Sequence, residues 1–193
     1  MLTKERWKMP EGIIVGISGS SSPIVGIRLL EVLRKLKKKT HLVITETAKE
    51  IIEHETSYKV KDVEKLASEV YDNSDLFGSI ASGSFKTEGM VVAPCSMKTL
   101  GGIASGYSEN LLLRSADVCL KERRPLILVT RETPLSYIHI ENMRKATLAG
   151  ATILPPVMTL YSRPKKISDL TDHITGKILD SLGIENELYK RWD

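Results

Sequence analysis

The sequence lacks any apolar run approaching the roughly 20 residues that a membrane-spanning helix needs. Its first residues, MLTKERWKMPEG, contain no apolar segment of the kind found in signal peptides. Only two cysteines are present, Cys95 and Cys119, and neither belongs to a CxxC pair or to a set with metal-ligand spacing. These features disfavour a membrane protein, a disulfide framework and a zinc site, and they predict a cytoplasmic protein.

Aromatic residues are also scarce, at 5% of the chain, and the basic residues do not alternate with them as on a nucleic-acid-binding surface. The formal net charge of +4 is mild and is compatible with small anionic ligands. Hydrophobic and charged fractions of 41% and 27% are typical of a globular protein. We predict one domain over residues 1–193, with a polar arm at 1–11 and a C-terminal tail at 183–193.

The most informative stretch is GIIVGISGSSSPIVG, residues 12–26. Its β-branched run predicts a buried parallel strand, and the serines and proline that follow predict the N-cap and first turn of a helix. A helix N-terminus behind a glycine turn binds anions, because unpaired N–H groups and a partial positive charge face the ligand. The stretch has neither the G-x-G-x-x-G spacing of dinucleotide-binding proteins nor the lysine of a P-loop. A capped turn without a ligand therefore stays open as an alternative for this stretch alone.

The order of strand, hydroxyl-rich turn and helix recurs along the chain. Further strands are predicted at 41–45, 89–93, 125–129 and 151–154. Further helices are predicted at 25–36, from about 48, within 62–88 (with Val63, Leu66, Ala67 and Val70 on one face), and at 109–123, 136–149 and 168–182. This alternation predicts an α/β fold with a mostly parallel sheet, in which the turns after the strands converge on one crevice.

Several polar residues near this edge allow two interpretations. Glu55 is most simply an exposed carboxylate at a helix end. Arg131 and Glu132 form either a structural ion pair or an anion-binding group beside an acid/base. Arg114 and Lys121 are seven residues apart on nearly the same helix face, which is usually a solvated flank. The remaining residues of that helix are largely apolar, which favours burial and a function for the pair.

Taken in order, these motifs resemble the UbiX-type flavin prenyltransferases, also known as phenylacrylic acid decarboxylase-like proteins. The resemblance extends from Ile13 to Trp192 and is carried by SGSS, PCSMKTL, NLLLRSADVCLKERR, TRETPLSYIHIENM and LYSRP. It implies a three-layer Rossmann-like or flavodoxin-like sandwich that assembles as a homododecamer and binds FMN at subunit interfaces. The implied reaction transfers a dimethylallyl group from dimethylallyl monophosphate to N5 of reduced FMN and then closes a ring at C6. No metal is implied, and a UbiD-type decarboxylase is the expected recipient of the prenylated flavin.

The resemblance also implies roles for individual residues. The expected FMN-contacting residues are Gly19, Ser20, Ser21, Thr45, Ser96, Met97, Lys98, Thr99 and Arg131. The expected catalytic residues are Ser21 beside the flavin N5, Glu55, and Glu132 as proton donor to the departing phosphate. The expected prenyl-phosphate residues are Arg114, Lys121, Tyr161 and Lys177.

Two positions depart from the family pattern. Ser22 stands where glycine is common, and Lys177 stands where some members have arginine, which replaces a bidentate fork by a point charge.

Two other functions are alternatives to the transferase. A flavin-dependent cysteine decarboxylase is disfavoured because PCSMKT lacks the asparagine of the corresponding segment in those enzymes. A flavin-binding accessory subunit is disfavoured because a scaffold does not need the full polar set.

Overall fold

The protein is described by a computed structural model over residues 11–192. Its strands are β1 Ile13–Ile17, β2 Thr40–Ile44, β3 Glu69–Tyr71, β4 Gly89–Cys95, β5 Leu126–Thr130 and β6 Thr152–Ile153. Its helices are α1 Ile24–Lys35, α2 Glu46–Glu55, α3 Val60–Glu64, α4 Met97–Ser105, α5 Leu111–Lys121, α6 Tyr137–Leu148 and α7 Ile167–Ser181, with a 3₁₀ turn at Ser79–Ala81. All strand pairs are parallel, in the order β3-β2-β1-β4-β5-β6. The predicted α/β fold is confirmed.

The sheet is buried on both faces, which explains why its strands have continuous apolar runs instead of alternating patterns. On one face, Ile13, Val15 and Ile17 belong to the apolar layer formed with α1 and α7. On the other face, Ile14 belongs to the layer formed with α4, α5 and α6. The three layers fix the ends of the strands, and therefore the turns that follow them.

The strand order reverses at β1, which pairs with β2 on one side and with β4 on the other. In open α/β sheets, ligands bind outside the carboxyl ends of the strands at such a point. The turns after β1 and β4 meet there, because the Ser18 hydroxyl donates to the Pro94 carbonyl at 3.0 Å and accepts from the Ser96 N–H at 2.9 Å. The crevice predicted from the sequence therefore lies between these two turns.

The prediction of one helix that includes both Val63 and Val70 is wrong for the second half of that segment. Helix α3 ends at Glu64, and Val70 lies in the edge strand β3. Thr40 and Ser68 exchange two hydrogen bonds of 3.1 Å between backbone N–H groups and side-chain oxygens. These contacts draw the chain to the edge of β2, so the sheet has a sixth strand that helical spacing concealed.

The predicted arm lies outside the described residues except for Glu11, whose backbone oxygen accepts a hydrogen bond from His41 at 2.7 Å. In the part of the chain that is described, no helix is long and apolar enough to cross a membrane. The cytoplasmic location stays a prediction.

Candidate active site

The turn after β1 does not cap α1 with a serine side chain, so that prediction is wrong. The N-cap is Pro23, which makes no side-chain cap hydrogen bond. The Ser18 hydroxyl donates to the Pro94 carbonyl, and the Ser20 hydroxyl donates to the Arg131 carbonyl at 3.1 Å. The hydroxyls therefore bind this turn to the ends of β4 and β5, which gathers three strand ends in one place.

Glu55, at the last position of α2, contacts the same turn from the side of β2. Its Oε2 accepts the Ser21 hydroxyl at 3.1 Å and the Ser22 N–H at 2.8 Å. The carboxylate is exposed, but two donors hold it in place, unlike a freely solvated helix-end group. Because the Ser21 O–H points to Glu55, the Ser21 oxygen keeps its lone pairs to accept a hydrogen bond from a ligand.

Ser22 has a φ of 72°, in the left-handed region that glycine adopts without strain. This conformation accounts for the glycine that is common at this position in the similar family. The Ser22 N–H is the group that donates to Glu55, so glycine preserves that hydrogen bond.

We expect Ser22→Gly to raise the free energy of unfolding by about 0.5–1 kcal/mol, because relief of left-handed strain exceeds the added freedom of the unfolded chain. The measurement is a urea unfolding curve, with Ser22→Ala as the matched control that keeps a Cβ at the same φ. A glycine variant no more stable than the alanine variant contradicts this account.

A cleft of about 730 Å³ opens between the N-termini of α2 and α4; we call it the polar cleft. Six predicted FMN-contacting residues line it: Gly19, Thr45, Ser96, Met97, Lys98 and Thr99. Thr45 and Ser96 are the N-caps of the two helices, and their side chains accept the N–H groups of Ala48 and Thr99. A Cβ at Gly19 would lie 2.8 Å from the Thr47 Cβ, so glycine is required for this close approach. Two helix N-termini and a bare backbone suit an anionic ligand.

Sequence reasoning missed two asparagines that line the same cleft, Asn73 and Asn110. Asn110 is the N-cap of α5 and accepts the Leu113 N–H at 3.0 Å, while Asn73 accepts the Leu112 N–H at 3.1 Å. Asparagine immediately before an apolar helical run is a recognisable N-cap signal for Asn110. Asn73 has no comparable signal, because its contact crosses from one segment to another.

A second cleft, of about 370 Å³, lies beside the first and is called the apolar cleft. Its apolar walls are Ile24, Val25, Pro155, Pro156, Val157, Met158, Ile167, Leu170 and Ile174. Its polar lining residues are Ser22, Thr130, Arg131, Glu132, Thr133 and Thr171, and Glu132 lines the polar cleft as well. The buried Thr130 hydroxyl has no hydrogen-bond partner among residues 11–192.

Arg131 and Glu132 do not form the ion pair that was one interpretation of their sequence, since no salt bridge joins them within the described chain. The Glu132 Oε1 accepts the Thr133 N–H at 3.0 Å, and the Arg131 N–H donates to the Cys95 carbonyl at 3.1 Å. The carboxyl group of Glu132 therefore lies where the two clefts meet, and the preceding residue, Arg131, carries a guanidinium group. This arrangement can donate a proton and bind an anion.

The four predicted phosphate residues fall into two pairs. Lys177 lies three residues after Ile174 on α7, and Tyr161 lies three residues after Met158, so both are close in the chain to lining residues of the apolar cleft, but neither lines it. Arg114 and Lys121 lie on α5 and are not among the described lining residues of either cleft. Within one described chain none of the four lines either cleft, and their shared role stays a prediction.

Arg114 and Lys121 have local partners instead. Arg114 pairs with Asp117 at 2.7 Å and donates to the Ala81 carbonyl at 3.1 Å, while Lys121 lies 3.5 Å from Glu122. About a third of the Arg114 side chain and about half of the Lys121 side chain remain exposed. Both cations are therefore accessible from outside this chain.

Cys95, beside Ser96 at the end of β4, is not suited to nucleophilic chemistry. Its side chain is fully buried, and burial raises the pKa of the thiol well above its usual range. Burial likewise raises the pKa of the Cys119 thiol to about 12. Both thiols are protonated at neutral pH, which agrees with the prediction that they serve as small buried hydrophobes.

Comparison with known proteins places this geometry in a family. A model of the Flavoprotein family matches residues 2–179. The probable UbiX-like flavin prenyltransferase of Sedimentibacter hydroxybenzoicus is 53% identical over 182 residues, covering 94% of this chain and 96% of that protein.

Two solved structures have nearly the same fold. The crystal structure of AnUbiX in complex with FMN and dimethylallyl pyrophosphate has a TM-score of 0.94 and 44% identity, covering 96% of this chain and 98% of that one. The dodecameric FMN-dependent UbiX-like decarboxylase from Escherichia coli O157:H7 has a TM-score of 0.92 and 44% identity, covering 94% and 98%. The chain belongs to the Flavoprotein family and, within it, to the UbiX-like flavin prenyltransferases.

Proposed function

We propose that this protein is a flavin prenyltransferase, which joins the dimethylallyl group of dimethylallyl monophosphate to reduced FMN. The observation that carries the proposal is the position of Glu132, which lines both the polar cleft and the apolar cleft. A reaction between a polar phosphorylated acceptor and an apolar donor needs an acid where the two substrates meet.

The polar cleft fits FMN in size and chemistry. Its volume of about 730 Å³ falls within the usual range for small-molecule sites. The N-termini of α2 and α4 offer backbone N–H groups to an anion, and Gly19 allows the backbone to approach it. Reduced FMN supplies the nucleophilic atoms, N5 and C6, that accept the dimethylallyl group.

The apolar cleft fits the dimethylallyl chain. Burial of each CH₂ group stabilises binding by about 0.8 kcal/mol. Apolar side chains that exclude water also protect a developing allylic cation from hydrolysis. As the carbon–oxygen bond of the donor breaks, its electron pair passes to the phosphate oxygen. Glu132 donates a proton to that oxygen, and Arg131 stabilises the negative charge.

Ser21 and Glu55 form a relay that accepts the proton lost by the acceptor nitrogen. With FMN bound, the Ser21 oxygen would accept a hydrogen bond from that nitrogen, because its own O–H is directed to Glu55 Oε2. The Glu55 carboxylate, held by the Ser22 N–H as well, is the base at the end of this relay. Ser20, whose hydroxyl is bound to the Arg131 carbonyl, keeps the turn in place.

A neighbouring copy of the chain completes the phosphate site in this proposal. Arg114 and Lys121 line neither described cleft, yet both remain partly exposed. Large apolar side chains are also more than half exposed in the isolated chain, among them Phe77, Tyr107, Tyr137, Ile138 and Leu148. Such a surface favours assembly. In the homododecamer that we propose, α5 of one copy would lie against the clefts of another; the relative from Escherichia coli is dodecameric, which supports this assembly.

The deciding experiment incubates the protein with reduced FMN and dimethylallyl monophosphate without oxygen and weighs the released flavin. We expect a mass increase of one C₅H₈ unit, and no increase when FMN is kept oxidised. A flavin that binds but keeps its mass would identify an accessory subunit instead.

We further propose that a UbiD-type decarboxylase receives the product, since the family resemblance supports that recipient.

A further inference from the structure

Residues 185–192, part of the C-terminal tail predicted at 183–193 and from here on called the tail, fold back on α7 and are held by one carboxylate. Asp180 accepts two hydrogen bonds from Arg191, at 2.9 and 3.1 Å, one on each oxygen. It also accepts the Tyr189 hydroxyl at 2.5 Å and the Asn186 amide at 2.9 Å. The Arg191 hydrogen bonds, together with those of Tyr189 and Asn186, lower the pKa of Asp180 to about 2 despite partial burial. Asp180 is therefore ionised, and both of its oxygens are occupied by the tail.

The tail also supports Tyr161 through a row of aromatic rings. The Tyr189 ring lies 4.4 Å from the His173 ring, and the His173 ring lies 5.7 Å from that of Tyr161. Trp192 contacts Tyr161 from another side, with ring centroids 5.3 Å apart. A side chain at Gly176 would overlap the Tyr189 ring, so the close packing of tail and helix requires glycine there.

His173 is suited to this packed position because it is uncharged at neutral pH. Its ring is buried, and its Nδ1 has no hydrogen-bond partner in the described part of the chain. Burial, with a smaller effect of the Lys177 charge, lowers the pKa of His173, whereas Asp180 opposes that shift. A neutral ring packs edge to face against the two tyrosines without the cost of a buried charge.

Lys177 lies beside the same carboxylate but is not tightly bound to it. Its Nζ is 3.9 Å from Asp180 Oδ2, and half of the side chain is exposed. The four shorter hydrogen bonds from the tail occupy the carboxylate and leave the ammonium group available for another anion.

We infer that Asp180 is a positioning residue for the prenyl phosphate: it anchors the tail, which orients Tyr161, and it leaves the Lys177 ammonium free for the phosphate. The inference rests on the proposed function, since the family resemblance gives Tyr161 and Lys177 as prenyl-phosphate residues of that reaction. It assigns the tail to the donor half of the site and gives it no part in FMN binding.

The test compares Asp180→Asn with Asp172→Asn in the FMN-loaded protein. Asp172 is a matched control, because it lies on the same helix and pairs with Arg28 at 2.6 Å, a residue of α1 and not of the tail. We expect Asp180→Asn to raise both KM and the calorimetric Kd for dimethylallyl monophosphate by about tenfold or more, since misplaced ligands lose pre-organised binding. We expect kcat at saturating donor and the Kd for FMN to change by less than about threefold. Asp172→Asn should lower Tm while leaving KM unchanged.

Unchanged or lower KM in Asp180→Asn, or an equal rise in Asp172→Asn, overturns the inference. If Asp180→Asn does not fold, Tyr189→Phe replaces it in the test, because this variant keeps the ring and removes one hydrogen bond to Asp180. We expect Tyr189→Phe to raise KM for the donor by about threefold. An unchanged KM in this variant counts against the inference. A wild-type protein that binds the donor but leaves the flavin mass unchanged refutes only the proposed function, because donor Kd still tests Asp180. A wild-type protein that neither binds nor transfers the donor overturns both.

Discussion

Replacing Glu132 with glutamine is expected to slow prenyl transfer by a factor on the order of 100 or more while leaving FMN bound. Glutamine has nearly the same shape and still accepts the Thr133 N–H, so the turn after β5 is preserved. It does not donate a proton to the departing phosphate, whose negative charge then develops without neutralisation.

The measurement is single-turnover formation of prenylated flavin, followed by mass, with FMN Kd measured separately. Glu141→Gln is a suitable control, because Glu141 pairs with Arg144 on α6 and lines neither described cleft. A Glu132→Gln variant as fast as the parent would assign the proton to another group. Loss of FMN binding would instead show that Glu132 acts mainly in forming the polar cleft.

Much of this site is predictable from the sequence because most of its parts immediately follow buried strands. Apolar runs such as that of β1 and β4 identify parallel strands, and parallel strands end at one edge of the sheet. Thr45 and Ser96 therefore reach the same cleft, although they are 51 positions apart in the chain. The polar cleft follows from local patterns combined with one topological rule.

Other features depend on contacts that local patterns do not contain. Ser22 has a left-handed backbone in the turn between β1 and α1, where its N–H donates to Glu55, and the serine residue type alone does not predict that conformation. Strand β3 has only three residues and is fixed by the hydrogen bonds between Thr40 and Ser68, so helical spacing concealed it. The role of Arg114 is predicted from the resemblance, whereas the folded chain determines that Arg114 lines neither cleft, although Leu113 beside it lines the polar cleft.

The second large effect is expected at Gly26, where α1 crosses β4. A Cβ at this position would overlap the Ala93 carbonyl oxygen and lie 3.1 Å from the Ile17 Cγ1. The carbonyl is part of the backbone and has no alternative rotamer, so α1 must move away from β4 to accommodate even one methyl group. We expect Gly26→Ala to lower the free energy of unfolding by about 2–3 kcal/mol, despite the better helix propensity of alanine.

Gly101→Ala is the matched control for this prediction. Gly101 also lies within a helix, α4, but a Cβ there would meet only the Asn142 amide nitrogen, at an ordinary 3.5 Å. Alanine should therefore stabilise that helix by up to about 1 kcal/mol. Urea unfolding of the two variants separates the general effect of alanine in a helix from the specific contact at Gly26. A Gly26→Ala variant as stable as the parent contradicts the prediction.

Gly26→Ala should also weaken FMN binding, because this glycine sets the distance between the two turns of the polar cleft. The Ser18 hydroxyl joins these turns through the Pro94 carbonyl and the Ser96 N–H, at 3.0 and 2.9 Å. A shift of α1 by a fraction of an ångström stretches both hydrogen bonds and separates the Gly19 backbone from the N-terminus of α4. Because anion binding at helix N-termini depends on short N–H contacts, we expect FMN Kd to rise at least about tenfold under conditions where the variant is fully folded. Unchanged FMN Kd in the folded variant would show that the turns hold their spacing independently of α1.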